Sequence, residues 1–338
     1  MPEMNRGHHH ATFLAKAPPL QTLLAELKQG LEQYWTVADQ ILRPAGVALE
    51  PPGRESFAWQ KNFFSLLFLY SYQRAGIPSR RRILYAATLQ CLRGMVTGCD
   101  NLLDDEYKAT LETDLPPGGY RFRSVVDIMV SDRVLFQILM DAAGKGDIPI
   151  DRVTDAAAAS MRTMTRSGRQ EAGEEAGIDT ILAPDVILES IHHYKTGILF
   201  QCPWDIPLTF ETITENRLAP LLEGLYRIGM GCQIMDDMVD LAIDVEKRRH
   251  NYLVSLIYHD GHAAEKDRLN RIMRTKPASL HASHFPEALH QAATRARLLL
   301  EQGLGTLFWP QHRKLIPPAI RFLEKRIGMS ALMNEASG

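Results

Sequence analysis

Four aspartates, Asp236, Asp237, Asp240 and Asp244, fall in one stretch, GMGCQIMDDMVDLAID (Gly229–Asp244), whose other residues are mostly small or apolar. On a helix turning about 100° per residue, with Asp236 at zero, Asp240 lies near 40°, Asp244 near 80° and Asp237 near 100°. One face therefore carries all the acids. Like charges three and four apart repel by about 0.2–0.5 kcal/mol per pair in water, and by more when buried. Ile234, Met235, Met238, Val239 and Leu241 surround the acids and no lysine interleaves, so the face calls for positive charge from elsewhere. A second run, MVTGCDNLLDDEYKAT (Met95–Thr110), sets Asp100 and Asp104 on one face, with Asp105 about 100° further round and Arg93 near the same stripe.

Two carboxylate clusters, each on a long helix in apolar surroundings, suit a hard cation. Mg2+ takes oxygen ligands, keeps several waters and commonly shares its shell with phosphates. A di-iron bundle would instead carry Glu-x-x-His pairs, and neither run contains one. Mg2+ bridging a diphosphate is the chemistry these residue types favour. An anion held this way needs cations as well. Lys195, in HHYKTGILFQ, and Lys247, Arg248 and Arg249, just past Asp244, are the candidates.

The elements that must position these groups are helical. Periodicity predicts helices over about 20–43, 55–75, 79–109, 121–143, 150–176, 185–212 and 214–247, with shorter ones to about 328, and almost nothing alternates with a period of two. The breaks LETDLPPGGY, GKGDIP, AGIDTILAPD and RTKPASLHASHFP carry the residues that stop helices. No linker or repeat divides the chain, so the expectation is one all-α domain, a single-domain helical bundle over 1–338, with 1–18 a flexible N-terminal segment. With 45% hydrophobic and 23% charged residues among 338, a large core is available. A net charge of -2 gives no basic field for nucleic acid. The N-terminus lacks a signal-peptide h-region and no run approaches the ~18 apolar residues of a membrane span, so no membrane insertion is expected. Cys91, Cys99, Cys202 and Cys232 form no CxxC pair, which favours reduced thiols in a cytoplasm. His8 to His10 could bind a metal, but in a polar terminal segment they read as a disordered tail.

Several motifs carry a resemblance. GMGCQIMDDMVDL matches a glycine, an aromatic–glutamine pair and DDxxD, with Cys232 for the aromatic before Gln233; YKTGILF (Tyr194–Phe200), SGRQEAGEE (Ser167–Glu175) and VSDRVLF (Val130–Phe136, with Ser131 for a glycine) fall upstream. Over about residues 75 to 258 the chain resembles the trans-isoprenyl diphosphate synthases, class I enzymes of isoprenoid synthesis. The resemblance implies an all-α bundle around a deep cavity, a homodimer, and three Mg2+ ions between the acidic helices and a prenyl diphosphate substrate. It implies Asp104 and Asp236 as leading metal ligands, with Asp100, Asp105, Asp237 and Asp240 in support. It also places Lys195 and Lys247 on the diphosphate and Thr196 and Gln233 at the reacting end of the cavity. The implied chemistry ionises an allylic diphosphate in a water-poor site, with Phe63, Phe64, Phe68, Tyr70 and Phe200 as aromatic residues for its walls.

The departures open alternatives. Elongating members follow the first acidic motif with paired arginines, whereas this chain has Lys108 and, after a Pro-Gly loop, Arg121 and Arg123. Asp100-x-x-x-Asp104-Asp105 resembles the DxxxD of head-to-head synthases as much as DDxxD. Arg80, Arg81 and Arg82, in IPSRRRIL, are the candidates for a second, homoallylic diphosphate. The leading expectation is a prenyltransferase joining isopentenyl diphosphate to an allylic diphosphate. The alternatives are a terpene cyclase or lyase, a head-to-head synthase, or a silent regulatory subunit. Asn251, Ser255 and His259, at i, i+4 and i+8, resemble the metal motif of cyclases, but with DDxxD already present, chance is the better account.

Overall fold

The computed structural model describes residues 18–275, 279–329 and 332. His8 to His10 and most of the expected flexible segment lie outside them, and Pro18 already opens the first helix. Among the described residues there is no strand, only an isolated bridge between Leu49 and Thr113. The helices are α1 (Pro18–Leu42), α2 (Phe63–Arg74), α3 (Ser79–Asp104), α4 (Tyr120–Gly144), α5 (Val153–Ala172), α6 (Glu215–Val239), α7 (Leu241–Glu246), α8 (Tyr252–His259), α9 (Ala263–Thr275), α10 (Pro286–Leu307) and α11 (Ile316–Ile327), with a π-helix at Ile187–Gly197. None of them is long and apolar enough to cross a membrane. By internal contacts the chain forms two compact units, Met1–Met164 with Cys202–Leu218, and Thr165–Gln201 with Ala219–Gly338.

In the first unit α3 packs against α1, α2 and α4. Two of these crossings are set by glycine. A Cβ on Gly30 would stand 2.5 Å from Ala86 Cβ, and one on Gly94 would stand 2.1 Å from Ser131 Oγ. Ser131, the residue that departs from the family's glycine, is fully buried and bonds Tyr34 Oη at 2.9 Å. Trp204 and Tyr72 pack edge to face at 4.8 Å, and the Trp204 indole N–H donates to Ser71 Oγ at 3.0 Å. In the second unit α6 crosses α10 at Gly231, where a Cβ would stand 2.9 Å from Ala296 O, and again where Gly224 meets Gly303. Such close backbone approach needs residues without side chains.

Where helix ends differ from expectation, side chains explain them. α3 stops at Asp104 rather than 109 because Asp105 turns left-handed, at φ 57°. The Asn101 amide then clasps the Lys108 backbone on both sides, at 3.1 and 2.9 Å. α2 starts at Phe63 because Asn62 donates to Ser56 O and Ala58 O and holds the preceding turn. The expected helix over 214–247 breaks at Asp240. The Asp237 carbonyl, which the Leu241 N–H would use in an unbroken helix, accepts from the Asn251 side chain at 2.6 Å. The segment 185–212 is split by Pro203 and Pro207 after the π-helix.

Gly94→Ala should cost about 1–3 kcal/mol in urea unfolding, because the buried Ser131 has no room to withdraw. Gly144→Ala, with nothing within 4 Å of its Cβ position, should change stability by less than about 1 kcal/mol.

Candidate functional site

In the second unit the acidic face divides by depth. Asp236 is exposed and Asp240 half-buried, while Asp237 and Asp244 are buried, at 3% and 8% exposure. Asp237 lies at the centre of a donor set. Its Oδ2 accepts from the Tyr252 N–H at 2.6 Å and from His192 Nε2 at 2.9 Å, and its Oδ1 accepts from Gln233 Nε2 at 2.9 Å. Burial works against this charge, but His192, the Tyr252 N–H and Gln233 outweigh it and hold the carboxyl below the usual range. Gln233 Oε1 in turn accepts from Thr196 Oγ1. Two residues expected at the reacting end, Thr196 and Gln233, are therefore joined to each other and anchored on Asp237.

Lys195 and Thr196 ride on the π-helix, a winding that recurs at functional sites. Its last residue, Gly197, lies against the Tyr226 ring, where a Cβ would stand 2.4 Å from a ring carbon. Ser167 Oγ donates to Lys195 O at 3.1 Å, and Lys195 Nζ pairs with Glu171 at 3.4 Å. Burial would depress the ammonium, yet the carboxylates of Glu171, Asp237, Asp244 and Glu174 raise it well above the ordinary lysine range. Lys195 thus carries its charge in a largely dry setting. Burial, with the charge of Asp237 beside it, pushes the Asp244 carboxyl up to about 8.

Glu171, Glu174 and His192 are members that motif reading did not single out, and Asn251, set aside as a chance match, is another. Glu174 accepts from the His250 N–H at 2.9 Å. Asn251 caps α8 at Val254 N and donates to Asp244 Oδ2 at 2.8 Å. Ser167 and Glu171 are one helical turn apart on α5, and Glu174 follows in the turn after it. Ser255 and His259 reach Leu182 O and Ile181 O, so with Asn251 they tie backbone together. Lys247 caps the C-terminal end of α7 and is exposed, and Arg248 pairs with Asp179 and Ile178 O at 2.7 Å each. The Phe200 ring packs on Gly229.

In the first unit Asp100 is exposed and Asp104 half-buried. Asp105 Oδ1 accepts from Tyr120 Oη at 2.8 Å and from Arg121 at 2.6 Å. The three arginines of IPSRRRIL diverge. Arg80 pairs with Asp147, and Arg81 with Glu211 at 3.4 Å. Arg82 is buried and grips both oxygens of Glu26, at 2.8 and 2.5 Å. Arg123 lies 4.6 Å over the Tyr107 ring and 3.8 Å from Glu112. Phe63 and Tyr70 are core, and Phe64 and Phe68 half-buried. Among the described residues no three His, Cys, Asp or Glu side chains come together as a metal-holding group.

No protein-family model matches the sequence, and no curated protein matches it. Solved structures do. A geranylgeranyl pyrophosphate synthase from Corynebacterium glutamicum superposes with a TM-score of 0.61 at 17% identity, over 94% of this chain and 98% of that one. A polyprenyl synthase from Roseobacter denitrificans gives 0.57 at 18% identity, over 91% and 99%. The chain has the isoprenoid synthase fold. A geranylgeranyl pyrophosphate synthetase from Geoglobus acetivorans shares that fold at 0.55 and 18% identity, over 95% and 97%. The isoprenoid synthase fold thus extends over nearly the whole chain, at an identity too low to transfer residue roles.

Burial raises the Asp127 carboxyl to about 6, with Thr110 and Arg123 restraining the rise. The unfolded chain holds that proton only below about 4, so the folded protein binds more protons between those values. The group's contribution to stability therefore falls as pH rises from about 4 through 6. Asp127→Asn should remove this slope, changing the stability difference from wild type by about 2 kcal/mol between pH 4 and 7 in urea unfolding.

Proposed function

We propose that the chain is a metal-dependent prenyltransferase that condenses isopentenyl diphosphate with an allylic prenyl diphosphate. The observation that carries the reading is the charged, largely buried Lys195, set beside the Thr196–Gln233–Asp237 chain in a protein of isoprenoid synthase fold. The solved structures that share this fold are named for prenyl diphosphate synthesis. Lys195 would bind the departing diphosphate through charge-assisted hydrogen bonds, with Lys247 as a second contact. The allylic C–O bond breaks with its electron pair leaving on the diphosphate. The cation adds to the isopentenyl double bond, and a proton is lost from the adduct. Thr196 and Gln233, held by Asp237, keep the π-helix wall fixed while water is excluded.

The residue types, rather than any assembled group, are what support Mg2+ in this proposal. Hard carboxylate oxygens stand exposed or half-exposed at Asp100 and Asp104 in one unit and at Asp236 and Asp240 in the other, and Mg2+ completes its shell with water and phosphate rather than with an all-protein cage. Bound there, three ions by family resemblance, it would supply positive charge for the leaving diphosphate. Asp237 and Asp105, engaged by protein donors, act in this proposal as positioning groups. Replacing Asp236 or Asp104 with Ala should lower turnover by about two orders of magnitude or more and leave urea stability near wild type. Asp237→Ala should lower both, because His192 and the Tyr252 N–H lose a buried acceptor. Lys195→Ala should slow ionisation, with Lys195→Arg restoring only part, since a fork is not a point charge.

One observation favours a second reading. Arg80, Arg81, Arg82, Arg121 and Arg123 each have a carboxylate partner, which leaves the homoallylic diphosphate short of cations. A terpene cyclase or lyase needs no such site. Incubation with Mg2+ and allylic diphosphates, with and without isopentenyl diphosphate, separates the two. Longer prenyl diphosphates formed only with isopentenyl diphosphate support elongation; hydrocarbon or alcohol from the allylic substrate alone supports the cyclase; a head-to-head product points to the squalene-like alternative.

We also propose a cytoplasmic homodimer. Phe122, Val125, Met129, Phe136 and Met140 are exposed apolar residues on one face of α4, with Phe122 61% exposed. Phe122→Glu with Met129→Glu should halve the mass seen by sedimentation equilibrium; an unchanged mass counts against this face.

A further inference from the structure

Outside every residue assigned above, α10 and α11 of the second unit enclose an open cleft of about 550 Å3, within the size range of small-molecule sites. Its lining is partly charged and partly apolar. Arg297 and Glu301 come from α10, Arg313 from the turn before α11, and Ile316, Pro317, Ile320, Arg321 and Glu324 from α11 itself. Arg297 Nε is committed to Glu324 at 2.6 Å, which braces the two helices and removes one charge of each sign. Neither the Arg313 nor the Arg321 guanidinium has a hydrogen-bond or ion-pair partner among the described residues. Two arginines lining one cleft repel each other unless an anion joins them, and the guanidinium fork suits phosphate oxygens. Glu301 narrows what is accepted, since a bulky polyanion would meet it. Beside the arginines, Ile316, Pro317 and Ile320 offer a surface for hydrocarbon.

We propose that this cleft binds an anionic amphiphile, its phosphate head between Arg313 and Arg321 and its chain on Ile316, Pro317 and Ile320. Prenyl diphosphates are of this class, so under the proposed function the cleft is a second, non-catalytic seat for substrate or product; the binding itself does not depend on that function.

Calorimetry with geranyl diphosphate in EDTA tests it without metal or turnover. The expected result is saturable binding that persists in Lys195→Ala and weakens at least about tenfold in Arg313→Ala/Arg321→Ala, with Arg313→Lys/Arg321→Lys restoring part of the loss. Inorganic diphosphate should bind more weakly than geranyl diphosphate; equal affinity would overturn the apolar half of the assignment. Vesicles of phosphatidylcholine with phosphatidylserine, sedimented with the protein, distinguish a membrane headgroup from a free amphiphile. Arginine-dependent binding to vesicles alone keeps the head site and assigns it to lipid. Absence of binding to either probe, or binding indifferent to both arginines, overturns the proposal, whatever the products of the catalytic assay.

Discussion

The second unit depends on one buried carboxylate. Asp237 brings charge into a dry place, and such a charge is tolerated only when donors surround it. Those donors come from three parts of the chain: His192 on the π-helix, Gln233 one turn back on α6, and the Tyr252 N–H at the start of α8. Satisfying one anion therefore fixes three segments relative to each other. Thr196 is held through Gln233, and the Asp237 carbonyl, drawn to Asn251, ends α6 where Asp240 begins to face outward. The exposed acids owe their placement to the buried one.

A comparable economy governs charge in the first unit. Arg82 and Glu26 form a buried ion pair with an additional bond to Ile77 O, a geometry in which removing one partner would strand the other. Close helix crossings at Gly30 and Gly94 leave little space around α3, so its polar residues must meet partners at fixed positions. Asn101 does so at the far end, clasping the Lys108 backbone where the helix stops.

The helices and their approximate ends were legible in the sequence because both follow from periodicity, and periodicity is local. The single helical face was not kept: the helix breaks at Asp240, Asp244 lies on α7, and the chain buries Asp237 and Asp244. What periodicity could not give was which partner each charge would find. Arg80, Arg81 and Arg82 read as one basic cluster along the chain, yet successive helical residues point about 100° apart, and they reach Asp147, Glu211 and Glu26. His192 looked like an ordinary neighbour of Lys195 because nothing in HHYKTG announces an aspartate 45 residues downstream. The boundaries of the two compact units fall at Met164 and Leu218, within α5 and α6, and at Gln201, in a turn.

The π-helix at Ile187–Gly197 bears on how length itself encodes the site. Its wider winding accommodates one more residue than an α-helix would over the same rise. If the π-winding persisted, deleting a residue upstream of Lys195 would turn everything beyond the deletion by about one residue's angular step. Lys195 and Thr196 would then leave Glu171 and Gln233 with no change in their own identity. A chain can therefore keep every motif residue and still lose the constellation through a single deletion, and register over this segment constrains relatives of this protein as strictly as residue type.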